Sequence, residues 1–256
     1  MSLIMGWATN QGIIRDNNQD CCYTAVNDSV SDSIGIAVIC DGMGGLSQGE
    51  YASSLTCEYI ADWFNRNYNC KKAIRKKNDI QILDEIEKVI IKANDSLVTY
   101  GKFNGCRIGT TASVILFINS TYYVIHIGDS RIYHYSSNLL QITEDDSLIA
   151  KKLRDGEITE LEYSQSNQKN ILTQCVGVNS QIYVHKYFGR YKSGDVFFLC
   201  SDGMYHFFDS LELTDFMISQ HKEKGQNITA SIERMIDKLI SRGETDNLTG
   251  VIVYVS

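Results

Sequence analysis

Four aspartates, Asp41, Asp129, Asp202 and Asp246, stand at the ends of apolar runs, and this placement limits the available folds more than any other feature of the chain. Ile34-Gly35-Ile36-Ala37-Val38-Ile39-Cys40 runs directly into Asp41-Gly42-Met43-Gly44-Gly45. Phe197-Phe198-Leu199-Cys200-Ser201 leads to Asp202-Gly203, and Ile125-His126-Ile127 leads to Gly128-Asp129-Ser130-Arg131. Asp246-Asn247 opens the last apolar run, 248–255. Short runs rich in valine and isoleucine read as buried strands. A carboxylate at the mouth of a buried sheet is costly without a partner, and several brought together repel. Divalent cations remove both costs. Oxygen ligands suit a hard ion such as Mg²⁺ or Mn²⁺ rather than zinc, and a glycine beside the aspartate lets a backbone carbonyl turn toward the ion. Any single Asp-Gly pair is equally well ordinary turn chemistry. Acidic residues at four strand ends favour the ion reading.

The remaining pattern supplies an architecture. Apolar residues at helical spacing mark 51–64 (Ala52, Leu55, Tyr59, Ile60, Trp63, Phe64), 83–97 (Ile86, Val89, Ile90, Ala93) and a last long helix through Ile228, Ile232, Met235, Ile236 and Ile240. Strands are predicted at 111–118 and 122–127, joined by the polar turn Asn119-Ser120-Thr121, and at 131–135, 182–187, 196–200 and 248–255. The polar stretch 151–170 reads as a surface insertion with short helical pieces. The first five residues look like an expression remnant and carry no expectation. Hairpin links outnumber strand–helix alternation, which favours antiparallel sheets with helices on the outer faces. Two such sheets stacked face to face suit a chain of 256 residues, which can bury a large core. With no linker and no internal repeat, 1–256 is expected to be one α+β domain.

Composition excludes several functions. A net charge of -7 disfavours nucleic acid, and the basic run Lys71-Lys72-Ala73-Ile74-Arg75-Lys76-Lys77 reads as a solvated loop. No stretch approaches the ~18 apolar residues of a membrane span, and the N-terminus lacks the pattern of a signal peptide. A cytoplasmic protein is expected, with no membrane or nucleic-acid partner. The eight cysteines include no Cys-x-x-Cys pair, and Cys40 and Cys200 lie in apolar runs, so they read as reduced structural thiols.

The motifs, taken in order, resemble the metal-dependent protein phosphatases, also called type 2C. Arg15-Asp16-Asn17-Asn18-Gln19-Asp20 looks like that family's opening motif, and Asp41-Gly42-Met43-Gly44-Gly45 like its central glycine-rich one. Gly109-Thr110-Thr111-Ala112, Gly128-Asp129-Ser130-Arg131, Cys200-Ser201-Asp202-Gly203 and Asp246-Asn247-Leu248-Thr249 are similar to the later ones. The resemblance implies a four-layer α-β-β-α sandwich, two stacked antiparallel sheets flanked by helices. It implies phosphoserine and phosphothreonine hydrolysis by a hydroxide bridging two Mn²⁺ or Mg²⁺ ions. Asp41 would bridge both ions, the Gly42 carbonyl would hold the first, and Asp202 and Asp246 the second. Asp129 with Asp202 would hold a third ion, as in bacterial members. Asp20 would act through bound water, and Arg15, with its planar donor pair, would grip phosphate.

Two positions depart from the family pattern. Met43 stands where some relatives carry a histidine proposed to protonate the leaving group, so that acid is unassigned. Asp146, in Thr143-Glu144-Asp145-Asp146-Ser147, replaces the histidine of a common Asp-His-Ser motif. Both variants look bacterial. His126, on a strand, reads as structural. The insertion 151–170 corresponds to the family's flap, expected to screen substrates. Implied partners are phosphorylated proteins and a cognate serine/threonine kinase, with the chain a monomer. A small-molecule phosphoesterase, a phosphoprotein-binding module without turnover and a protein stapled by structural ions are the competing readings. The intact set Asp41, Asp202 and Asp246 argues against the binding module.

Overall fold

The computed structural model describes residues 1–27, 34–44, 48–68, 77–166 and 171–256. One sheet holds β1 (Leu3–Asn10), β11 (Leu248–Val255), β10 (Val196–Cys200), β7 (Arg131–Tyr135) and β8 (Leu139–Gln141), in that order across it. The other runs β2 (Asp20–Asn27), β3 (Ile34–Gly44), β5 (Ala112–Ile118), β6 (Thr121–Ile127) and β9 (His185–Arg190). The short β4 (Ile108–Thr110) pairs with the far end of β3. Every pairing is antiparallel.

The layers follow from the two-residue period of the strands. On β3, Ala37 and Ile39 face the other sheet, where they meet Ile115 and Phe117 and, across the interface, Phe197, Leu199, Val251 and Val253. Ile36, Val38 and Cys40 point the opposite way, onto α1 (Gln48–Tyr68) and α2 (Asp79–Asn104) through Ile60, Phe64, Ile86 and Ile90. Phe198 and Ile252 likewise turn outward to α5 (Ser210–Lys222) and α6 (Ile228–Ser241) through Met217, Ile232 and Met235. Strands covered on both faces cannot alternate apolar with polar residues. That is why these segments read as continuous apolar runs. The predicted four-layer sandwich is the observed fold.

Local signals set the turns. Asn119 and Ser120, at φ 49° and 63°, form the two-residue joint between β5 and β6, the geometry whose twist matches a hairpin. Asn78 and Gln81 close a capping box at the start of α2, and Gly105 ends that helix in a left-handed conformation.

Several elements differ from expectation. β3 continues past Cys40 to Gly44, because β4 pairs with its last three residues. The first five residues, which carried no expectation, enter β1 at Leu3, and that strand pairs along the whole of β11. The strand predicted at 182–187 starts at His185. The insertion predicted at 151–170 begins earlier, with α3 (Leu148–Arg154), and continues in α4 (Glu160–Gln165); its last residues, 167–170, lie outside the described residues. So does the basic run, apart from Lys77. All cysteines among the described residues are free.

Phe117 is fully buried between the sheets, its ring 5.0 Å from that of Phe197 in an edge contact. Phe117→Ala is expected to cost about 3–5 kcal/mol, read as a lower urea midpoint at unchanged slope. Phe103→Ala, at a side chain 89% exposed, should cost under about 0.5 kcal/mol.

Candidate active site

The strand ends that carry aspartates meet at one end of the sandwich. Asp41 lies on β3, Asp129 follows β6, Asp202 opens a single 3-10 turn after β10, and Asp246 precedes β11. Together with Arg15 and Gly42 they line one cavity of about 210 Å³, whose wall also includes Met43, Thr111 and Leu172. Asp20 is not on that wall. It begins β2 directly opposite Asp41 in the β2–β3 register, and Ser201 Oγ donates to its Oδ2 at 2.8 Å.

Each side chain is placed by its own scaffold. The Asp41 backbone is bracketed by two threonines: its N–H donates to Thr111 Oγ1 (2.8 Å), and its carbonyl accepts from Thr111 N (2.8 Å) and Thr110 Oγ1 (2.9 Å). These are the threonines of Gly109-Thr110-Thr111-Ala112. Gly42 is required by space, since a Cβ there would lie 2.1 Å from the Gly49 carbonyl oxygen and 2.5 Å from that of Gln19. Gly128 is required by conformation as well. Its φ of 109° is open mainly to glycine, and a Cβ would meet Thr111 at 2.5 Å. The loop bearing Arg15 is held from the opposite end of the chain. Asn247 accepts from Gln19 N (2.9 Å) and donates to the carbonyls of Gln11 (2.8 Å) and Asn17 (3.1 Å).

The electrostatics are those of crowded carboxylates. Burial is the main cause holding Asp41, Asp129 and Asp202 above the ordinary carboxylate range, and their acidic neighbours add to it; at Asp202, His206 partly offsets this. Asp20 is pushed up to about 7 by burial, against the hydrogen bonds it accepts from Thr249 and Ser201. Its Oδ1 is buried and has no hydrogen-bond partner among the described residues. Arg15, at the cavity wall, reaches Asp246 Oδ2 through Nη2 at 2.7 Å.

These residues fit divalent cations. The donors are carboxylate and backbone oxygen, the choice of a hard ion, and the partnerless Oδ1 of Asp20 is the acceptor that a water on such an ion would need. The carboxylates surround the cavity rather than meeting at a point. Among the described residues no three acidic, histidine or cysteine side chains close into a single-ion cluster.

Three sets of contacts had no sequence expectation. His206 sits with Nε2 3.6 Å from Asp202 Oδ2 and Nδ1 3.3 Å from Glu244 Oε2. Glu244 Oε1 accepts from the N–H groups of Thr245 (2.7 Å) and Asp246 (2.9 Å). Burial disfavours the His206 imidazolium, but the two carboxylates outweigh it and its pKa is raised. The only trace in sequence is the four-residue spacing from Asp202. Arg131 pairs with buried Asp145 through Nη2 at 2.7 Å and lies 3.7 Å over the Tyr205 ring, whose hydroxyl donates to the Asp129 carbonyl at 3.0 Å. Asp146, in the place of the motif histidine, accepts from Gly128 N at 3.0 Å and meets His185 Nε2 at 2.9 Å. An imidazole from β9 thus fills part of the space beside that turn.

Met43 lines the cavity, and its thioether has no proton to give. His126 is fully buried. Its Nδ1 faces Ser113 Oγ at 2.8 Å, and its Nε2 faces the carbonyls of Gly128 (2.9 Å) and Glu144 (3.1 Å). That is a neutral ring in a structural role, with its pKa lowered by burial. Leu172, just past the predicted insertion, lines the site, and Tyr163 of α4 accepts from Arg131 at 3.3 Å.

Known proteins resemble this chain along nearly its whole length. A family model described as protein phosphatase 2C matches residues 15–240. The serine/threonine phosphatase stp of Listeria welshimeri is 30% identical over 254 residues, covering 96% of this chain and 93% of that protein. Among solved structures, a serine/threonine phosphatase of S. agalactiae superposes with a TM-score of 0.86 at 24% identity, over 99% of this chain and 100% of the other. The catalytic domain of the serine/threonine protein phosphatase PstP, in complex with two manganese ions, gives 0.80 at 23% identity, over 99% and 100%.

The carboxylate shifts set a pH dependence for the ion-free protein. Each folded pKa lies above the unfolded one, so the stabilisation is complete at low pH and is lost as pH rises through the folded value, near 7 for Asp20. Ion-free protein is expected to melt roughly 2–4 °C higher at pH 6.5 than at pH 8, and saturating Mn²⁺ should remove that difference by stabilising the pH 8 form. Buried neutral His126 opposes the trend only below its ordinary range. A higher melting temperature at pH 8 without ions would contradict the assignment.

Proposed function

This chain belongs to the protein phosphatase 2C family, and from that premise we propose that its acidic cavity hydrolyses phosphoserine and phosphothreonine in proteins with Mn²⁺ or Mg²⁺ bound. The observation that carries the reading is the convergence of Asp41, Asp129, Asp202 and Asp246 on one cavity with Arg15 on its wall. When bound, such ions supply Lewis acidity to the phosphoryl oxygens and to the attacking water. Asp41, the Gly42 carbonyl, Asp202 and Asp246 are the proposed ligands of two ions, with Asp129 and Asp202 serving a third.

The residues of the chain have separate tasks in this proposal. Arg15 is half-exposed and already charge-paired with Asp246. Its planar guanidinium can offer phosphate a bidentate donor pair. Asp20, behind the cavity with one partnerless oxygen, orients the attacking water. The water oxygen bonds to phosphorus while the serine or threonine oxygen leaves and takes a proton. Met43 cannot provide that proton, and a solvent water admitted to the cavity can.

The partners follow from the chemistry: phosphorylated proteins as substrates and a cognate serine/threonine kinase that makes them. The chain is proposed to work in the cytoplasm as a monomer, its residues 1–256 acting as one domain with the flap at 151–170 beside the site. No helix among the described residues is long and apolar enough to cross a membrane.

Turnover of a phosphothreonine peptide should appear with Mn²⁺ or Mg²⁺ and vanish with chelator, while nucleotides and sugar phosphates are poor substrates. Full activity in chelator would overturn the proposal. Asp41→Asn and Asp202→Asn should each lower kcat by roughly 100-fold or more with the circular dichroism spectrum unchanged. Arg15→Lys keeps the charge but loses the planar fork, and its main effect should be a higher KM for phosphopeptide.

A further inference from the structure

The edge of the first sheet is unusually open. Among the described residues β1 is an outer strand, paired only with β11 along its length. Its sequence, Leu-Ile-Met-Gly-Trp-Ala-Thr-Asn, holds no charge and no proline, the devices that usually protect an edge from pairing with another chain. Trp7 is 47% exposed on it. Beside this strand runs a groove of about 560 Å³, walled by β1 from Met5 to Asn10, by Thr24 of β2 and by one side of α6.

The charge in that groove is one-sided. Glu233 and Asp237, one turn apart on α6, line it and are exposed. Like charges at that spacing oppose the helix. Neither forms an ion pair among the described residues. The neighbouring bases turn elsewhere: Arg234 donates to Ser231 at 2.8 Å, and Lys238 pairs with Glu212 of α5 at 2.7 Å. Thus α6 presents its bases away from the groove and its acids toward it.

The strand that walls the groove runs on into a loop of the catalytic cavity. β1 ends at Asn10, whose Oδ1 accepts from Gly12 N at 2.8 Å at the start of the loop that carries Arg15. From Met5 to Asn10 the strand spans about 16 Å, the length of five extended residues. A peptide with its phosphoresidue in the cavity could lay a flank along this edge.

We propose that the groove between β1 and α6 docks the flank of the phosphoprotein substrate as an added extended strand, with lysine or arginine side chains of that flank placed against Glu233 and Asp237. The proposal rests on the phosphatase reading above. Strand addition supplies backbone hydrogen bonds of any sequence, and the acidic pair selects the charge.

Two phosphothreonine peptides that differ only in a lysine-rich or glutamate-rich flank, and p-nitrophenyl phosphate, which has no flank, test it in Mn²⁺. The lysine peptide should be favoured roughly 3- to 10-fold in kcat/KM, the weight of two exposed ion pairs, through KM and less so at high salt. Glu233→Lys with Asp237→Lys should abolish or reverse that preference and leave p-nitrophenyl phosphate turnover unchanged. The same charge change on α1, Glu58→Lys with Asp62→Lys, should preserve it. Equal use of both peptides by the wild type, a preference that survives the α6 change, or one that the α1 change also removes would overturn the proposal. So would sedimentation of the wild type as a dimer that the α6 change dissociates, because the groove would then hold a second copy. No turnover of p-nitrophenyl phosphate by the wild type would overturn the phosphatase reading itself; normal turnover without flank preference would overturn the groove alone.

Discussion

Asp20 and Asp41 face each other across one rung of the β2–β3 ladder, and much of the site can be understood as the management of that repulsion. Like charges directly opposite on a sheet are destabilising, and here two more aspartates, Asp202 and Asp246, add to the local field. The chain answers with limited means of its own. Arg15 neutralises Asp246, Ser201 donates to Asp20, and His206 sits against Asp202. None of these reaches the Oδ1 of Asp20. A site that holds this much unpaired acid at the end of a rigid sandwich is built for cations.

The sandwich supplies the rigidity. Asp41 comes from one sheet, Asp202 and Asp246 from strands of the other, and Asp129 from the crossing between them. The inter-sheet layer of Phe117, Phe197, Leu199 and Val251 therefore fixes the spacing of the carboxylates. Secondary contacts then tune each position. The threonines at the end of β4 hold Asp41, and Asn247 ties the first loop of the chain to its last strand. Catalytic residues on short connections, braced from a packed scaffold, are the usual arrangement for a site that must be precise.

Much of this was legible in the residues. The covered strands announced themselves as apolar runs because both faces are buried, and the Asn119-Ser120 turn marked its hairpin. The motif aspartates were visible because acid at the end of such a run is costly. The rest has weaker local signals. The first five residues look like a terminal remnant, although pairing with β11 orders them from Leu3 onward as part of β1. β4 and β8 are three residues each, too short for any period to register. The extension of β3 to Gly44 depends on β4, a partner more than sixty residues away. Glu244 has no pattern around it, and its role with His206 exists only because two loops meet.

The sequence by itself determined the layered α+β class, the family and the set of acidic residues, since burial period and the cost of stranded charge are written locally. Only the tertiary structure decided which carboxylates face one another, that Asp20 lies behind the cavity rather than on its wall, and that the acids of α6 line the open edge of β1. Those are distances between segments far apart in the chain, set by how two sheets stack and by strand register, and no local run of residues encodes them.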